Sequence, residues 1–179
     1  AVEINAGAWY LRVPRADDRV DDGHAVLASC RDPEIRRWRH RPPADPAEAD
    51  AYIRRRAQDW ARDERYTWAV CVPTTGVMVG EVSLDHVDLG MGQAEAACWA
   101  LPVARGAGMT TTALSAVLRF AFGGLDLHRV SYHWAAGNAA SGRVAEKCGF
   151  RTEGRLRDAW VADGVRHDVI VTGLLATDR

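Results

Sequence analysis

The sequence predicts an α+β fold, or α/β by a looser definition, built on a mixed and mostly antiparallel sheet flanked by helices. Three observations carry this reading. Strand-like runs joined by short turns stand on either side of the centre and read as hairpins. At the centre an apolar strand, a glycine-rich loop, a helix and a further strand follow one another, an order that needs a parallel crossover. Two Asp-Pro helix starts precede them. No internal repeat or low-complexity linker interrupts the 179 residues. One domain, residues 1–179, is therefore expected, long enough to bury a core without staples.

The first strand is expected near Ala8 to Val13, where Trp9, Leu11 and Val13 alternate with Tyr10 and Arg12. Asp32-Pro33-Glu34 and Asp45-Pro46-Ala47-Glu48 each offer a capping carboxylate, a proline at the first helical position and an acid in the first turn. The second of these helices should reach about Arg62, with Tyr52, Ile53, Trp60 and Ala61 facing inward. A meander follows: Tyr66 to Val72, the turn Pro73-Thr74-Thr75-Gly76, Val77 to His86, a loop around Leu89 to Gly92, and Ala94 to Leu101. A helix from Met109 to about Phe122 carries Leu114, Val117, Leu118 and Ala121 on one face, and Gly123-Gly124 stops it. A strand from Arg129 to Trp134, a short helix after Asn138, and a hairpin turning at Ala162-Asp163-Gly164 complete the chain. The apolar surface of the last strand is where a second copy would pair to form a homodimer.

Charge is nearly balanced, with 23 basic and 24 acidic residues. A dedicated nucleic-acid surface would need a basic excess, so no nucleic-acid partner is expected. The basic clusters Arg36 to Arg41 and Arg54 to Arg56 read as solvated faces. Cys30, Cys71, Cys98 and Cys148 are far apart and form no CxxC pair, which argues against zinc or a disulfide framework, and no metal is expected. No apolar run approaches the roughly eighteen residues of a membrane span, and no leader pattern opens the chain. A cytoplasmic protein with no membrane partner is the expectation. Lys147 is the sole lysine, a skew toward arginine that fits a GC-rich bacterial genome.

The segment Leu101-Pro102-Val103-Ala104-Arg105-Gly106-Ala107-Gly108-Met109-Thr110 joins a strand to a helix. Its glycines let the backbone approach a ligand closely, and the helix start presents unpaired N–H groups with partial positive charge. That combination suits a pyrophosphate, and the hydroxyls of Thr110, Thr111 and Thr112 add donors. The plain alternative is a tight turn with no ligand. A P-loop would need a lysine after its last glycine, and a dinucleotide fold would need a third glycine where Thr111 stands.

The run Ala94 to Pro102, continued by Ala104-Arg105-Gly106-Ala107-Gly108, resembles the acetyl-CoA motif of the GNAT superfamily of N-acyltransferases. Asn138-Ala139-Ala140-Ser141-Gly142-Arg143-Val144-Ala145-Glu146-Lys147-Cys148-Gly149-Phe150 is similar to that family's second coenzyme A motif. Gly154, Arg157 and the hairpin at His167-Asp168 resemble the branch that includes the ribosomal-protein-alanine acetyltransferases. The resemblance implies a sheet whose central parallel pair splays into a V. Coenzyme A, delivered as acetyl-CoA, would lie in the V, its pantetheine on Ala100 and Leu101 and its pyrophosphate on the amides of Arg105, Gly106, Ala107, Gly108, Met109 and Thr110. Val103 stands where the family pattern has a polar residue, and would contribute through its main chain. Asn138 and Ser141 would also touch the cofactor.

Acylating an amine requires removal of a proton from the ammonium and a donor for the departing sulfur. Glu95 is the candidate base: it is the one acid in an otherwise apolar strand, where desolvation would raise its pKa, and period-two counting puts it on a face with Trp99 and Leu101. Pairing with an arginine is the structural alternative, and Glu81, Asp85, His86 and Asp88 are rivals. Ser141 is the candidate donor, because the tyrosine that many relatives carry four residues later is Ala145 here. Ser141 would equally serve as a first-turn residue capped by Asn138. Arg143 and Lys147 would meet phosphates or solvent. His128 and His133 read as structural, and Trp38 and Trp60 would line the acceptor entrance. The expected reaction is transfer of an acetyl group from acetyl-CoA to a primary amine, either a protein N-terminal α-amino group or a small molecule. The alternatives are transfer of a larger acyl group such as succinyl, or a catalytically weak acyl-CoA-binding module.

Overall fold

The computed structural model describes all residues, 1–179. In chain order the elements are β1 (Ile4–Ala6), β2 (Trp9–Arg12), α1 (Gly23–Arg31), α2 (Pro33–Arg37), α3 (Pro46–Ala61), β3 (Tyr66–Cys71), β4 (Met78–Asp88), β5 (Gln93–Ala100), α4 (Met109–Gly123), β6 (Arg129–Ala135), α5 (Ala139–Lys147), β7 (Arg151–Ala162) and β8 (Val165–Leu175). They form one eight-stranded sheet in the order β1-β2-β3-β4-β5-β6-β8-β7. Only β5 and β6 run parallel. No helix is long and apolar enough to cross a membrane.

The parallel pair separates partway along. Its register runs from Gln93 opposite Arg129 to Ala96 opposite Tyr132 and then stops. Beyond that point β5 stays on β4 as far as Ala100 opposite Gly80, and β6 stays on β8 as far as Ala135 opposite Val169. Residues 97–100 and 133–135 therefore face each other across a split in the sheet.

The core explains why α4 closes one side of this split. Met109, Ala113, Leu114, Ala116, Val117, Leu118 and Ala121 form its buried stripe, packed on Ala94 and Ala96 of β5. Burying each large aliphatic side chain contributes about 1.5–3 kcal/mol. Gly80 lets the start of α4 settle on the sheet, since a Cβ there would lie 2.5 Å from the end of Met109 and 2.8 Å from the Trp99 carbonyl.

The Asp-Pro starts fold as expected: the Asp32 carboxylate accepts from the Ile35 amide at 3.0 Å and Asp45 from the Glu48 amide at 2.8 Å. Three expectations need correction. Ala61 is exposed, because the inward stripe of α3 runs through Ala49, Ile53, Arg56 and Trp60, and Ala61 is a further 100° round the helix. Helix α1 was not predicted; Asp22 stands at its N-cap, but its carboxylate is spent on Arg12 at 2.7 Å in a buried ion pair and caps nothing. The last strand, β8, lies between β6 and β7, so both of its edges are taken and β7 is the free edge at that end of the sheet.

Candidate functional site

The loop after β5 is built to leave donors exposed. Gly106 and Gly108 have φ of +79° and +70°, the left-handed region that favours glycine, and open space surrounds both. Gly108 occupies the N-cap of α4 without a side chain to cap it. The amides of Gly106, Ala107, Gly108, Met109, Thr110 and Thr111 donate to no acceptor within the chain. They crowd at the positive end of a fifteen-residue helix, which is an anion cradle by geometry and by charge.

Several predicted contacts are refined. The Arg105 amide is already committed to the Pro102 carbonyl at 3.2 Å, and its guanidinium holds Asp32 at 2.7 Å. Burial works to raise the Asp32 pKa, but Arg105 and the Ile35 amide outweigh it and hold that carboxyl below its ordinary value. Val103 points into solvent, and the Met109 side chain is buried in the core. The Leu101 amide donates to Val79 at 2.8 Å. Strand alternation therefore turns the amides of Ala100 and Cys98, not that of Leu101, toward the split.

On the opposite wall, the Asn138 side chain accepts from the Ser141 amide at 3.3 Å and caps α5. Gly142 admits the ring of Trp134, which a Cβ would meet at 2.8 Å. Ser141 Oγ lies 2.6 Å from the hydroxyl of Tyr132 on β6, and that hydroxyl is 3.5 Å from Cys98 Sγ. Burial first, then the neighbouring Cys98, pushes the Tyr132 pKa far above its ordinary value. Burial likewise lifts the Cys98 thiol to about 11 against the opposing Tyr132 hydrogen bond. All three groups stay protonated near neutrality. Tyr132 was not foreseen; it supplies a hydroxyl in the cleft where the second motif carries Ala145.

The floor of the cleft is the face of β4 and β5 away from α4. Glu95 stands there opposite Asp85 on one side and Ser131 on the other. Its two oxygens lie 3.5 Å from His133 Nδ1 and 3.7 Å from His86 Nδ1. About a third of its side chain is exposed (32%), so its setting is two imidazoles rather than the dry apolar strand expected. His133, read as structural from sequence, is a cleft residue. The rivals have other duties. Asp85 pairs with Arg65 at 2.6 Å, and Asp88 accepts from the Met91 amide at 2.8 Å. Glu81 is 5% exposed and accepts from Tyr52 at 2.6 Å, while its second oxygen is buried without a partner.

Helix α2 roofs the cleft by tying the two walls together. At one end Asp32 grips Arg105 of the loop. At the other, Trp38 packs edge-on against His167 at 5.1 Å, the indole N–H of Trp160 donates to the Arg37 carbonyl at 3.1 Å, and Arg37 pairs with Asp163 at 3.2 Å. The cleft, open to solvent on one side, has a volume of about 1340 Å³ and includes Trp38, Glu95, Ala100, Arg105, Thr110, Asn138 and Ser141 in its lining. Trp60 lies elsewhere, tilted against Tyr66 and edge-on to Trp68, with its N–H on the Thr67 carbonyl. Arg143 and Lys147 are exposed and outside the lining.

Residues 10–151 match the family described as the acetyltransferase (GNAT) domain. YdaF of Bacillus subtilis (strain 168), provisionally named a ribosomal N-acetyltransferase, is 32% identical over 133 residues, 73% of each chain. Among solved structures, the ribosomal-protein-S5-alanine acetyltransferase of Vibrio fischeri superposes with a TM-score of 0.86 at 16% identity, covering 99% of this chain and 98% of that one. RimL, a ribosomal L7/L12 α-N-protein acetyltransferase in complex with coenzyme A, gives 0.86 at 18% identity, covering 97% and 98%.

Proposed function

The chain belongs to the GNAT acetyltransferase family, and we propose that it moves an acetyl group from acetyl-CoA to the primary amine of an acceptor by direct attack. The observation that carries this is the run of unpaired amides between Gly106 and Thr111, set at the mouth of the split between β5 and β6. These donors fit a pyrophosphate, and the inner edge of β5 at Cys98 and Ala100 fits the amides of a pantetheine arm. RimL, which shares the fold, is in complex with coenzyme A, and this supports the choice of cofactor.

When bound, the thioester supplies the acyl group. The protein's residues do the rest. Glu95 accepts a proton from the acceptor ammonium, so that the free amine attacks the acyl carbon. His133 and His86 flank the carboxylate, and the exposed ring of His86 offers the proton a route to solvent. Ser141 donates to the departing sulfur, and Tyr132 orients the Ser141 hydroxyl from behind. Protein N-terminal α-amino groups are the proposed acceptors, by analogy with the name of RimL, an α-N-protein acetyltransferase.

Release of free thiol from acetyl-CoA across a panel of amines and N-terminal peptides tests the activity. Turnover with at least one acceptor is expected, together with a rise in melting temperature on adding coenzyme A. Coenzyme A that leaves the melting temperature unchanged would contradict the reading.

A further inference from the structure

Six arginines line the cleft, and they divide into two sets. Arg56, Arg65 and Arg105 are each neutralised, by Asp59, Asp85 and Asp32. Arg39, Arg41 and Arg55 have no carboxylate within ion-pair distance.

Of the unpaired set, Arg39 is held in place, while Arg41 and Arg55 are exposed. The Arg39 guanidinium lies over the rings of Tyr52 and Trp99, at 5.2 and 5.4 Å, and donates to Ser29 Oγ at 2.8 Å through one nitrogen. Arg41 adopts a left-handed φ of +47°, unusual for a residue with a side chain, and is followed by Pro42 and the buried Pro43. Arg41 is exposed and contributes to the cleft lining. Arg55 is exposed on the α3 side of the mouth.

Charge in the cleft is therefore layered. The deep carboxylates, Glu81 and Glu95, stand on the sheet, and the uncompensated arginines stand on the roof and rim. The other three lining acids are occupied: Asp85 pairs with Arg65 at 2.6 Å, Glu48 accepts from the Ala44 amide at 2.7 Å, and Glu34 lies 4.0 Å from Arg37. An acceptor that leads with an ammonium and trails carboxylates matches both layers.

We propose that the acceptor is a peptide N-terminus with acidic residues in its first few positions, its carboxylates taken by Arg39, Arg41 and Arg55. This rests on the acyltransferase reading above and adds the acceptor's chemistry to it. A basic peptide or a polyamine would set like charges against the rim.

The test is binding of fluorescein-labelled peptides to the coenzyme A-saturated protein, read by anisotropy at low and moderate salt. Three peptides share an N-terminal alanine and carry aspartate and glutamate, their amide isosteres, or lysine at positions two to four. The acidic peptide should bind about tenfold tighter than its isostere, with the margin shrinking as salt rises. In the double variant Arg41→Gln, Arg55→Gln the margin should fall severalfold, with melting temperature and coenzyme A affinity unchanged. Equal or tighter binding of the neutral or basic peptide, a margin that survives the double variant, or equally effective competition by free glutamate would overturn the proposal. Thiol release reports on the enzyme separately. Turnover without preference for acidic peptides overturns only the charge argument, and acid-selective binding without any turnover overturns only the activity.

Discussion

The hydroxyl of Tyr132 lies 2.6 Å from Oγ of Ser141, so a buried phenol on β6 and a helical serine on α5 meet across the wall of the cleft. Neither position is informative alone. Together they form the hydroxyl pair that, under the proposed mechanism, hydrogen-bonds to the departing sulfur.

Replacing Ser141 with alanine should lower kcat by about 10²-fold, the lower end of what a positioned acid contributes. Tyr132→Phe removes only the hydroxyl that orients Ser141, and should cost roughly a tenth of that effect. If Ser141 acts through this pair, Tyr132→Phe will have little further effect in the Ser141→Ala background. Steady-state kinetics on the three variants, with coenzyme A affinity as control, checks the coupling.

Glu95→Gln should lower kcat by about 10²–10⁴-fold with little change in coenzyme A affinity. His133→Gln leaves the carboxylate in place but strips one flanking imidazole, so a smaller loss is expected, together with a changed pH–rate profile. A profile identical to that of the unaltered protein would remove His133 from the proton path.

Asp32 links α2 to the loop through Arg105, and its pKa is held below the ordinary 3.8. A depressed carboxyl stabilises the fold above its unfolded value and loses that contribution as pH falls through the lower folded value. Melting temperature should therefore drop between about pH 4 and pH 2 more steeply in the unaltered protein than in Asp32→Asn. Coenzyme A affinity should weaken in the variant at neutral pH, because the loop loses its anchor.

Arg12 and Asp22 form a buried pair with side chains 7% and 3% exposed. Asp22→Ala strands the guanidinium, and a loss of about 3–5 kcal/mol is expected by denaturant unfolding.

Much of the fold was legible because its signals are local. Asp32, Asp45 and Asn138 each declare a helix start within four residues, and Gly106 and Gly108 mark the loop. Helix α1 was not legible because Asp22 pairs with Arg12, ten residues earlier, instead of capping. Ala61 was misplaced because the stripe through Ala49, Ile53 and Arg56 becomes visible only once the helix is set against the sheet. Within the site, the roles of Tyr132 and His133 depend on β5 and β6 parting after Ala96 and Tyr132, which period-two patterning does not encode. The same holds for the Arg105 amide, which the sequence offered as a free donor and the preceding turn consumes at the Pro102 carbonyl.

The central claim is that the amides around Gly106 and Gly108 hold the cofactor's pyrophosphate. A ¹⁵N-labelled sample titrated with coenzyme A, and separately with pantetheine, tests it directly. Coenzyme A should shift the amides of Gly106, Ala107, Gly108, Met109, Thr110 and Thr111, and pantetheine, which lacks the pyrophosphate, should leave them in place. Saturating coenzyme A that moves none of the six would contradict it.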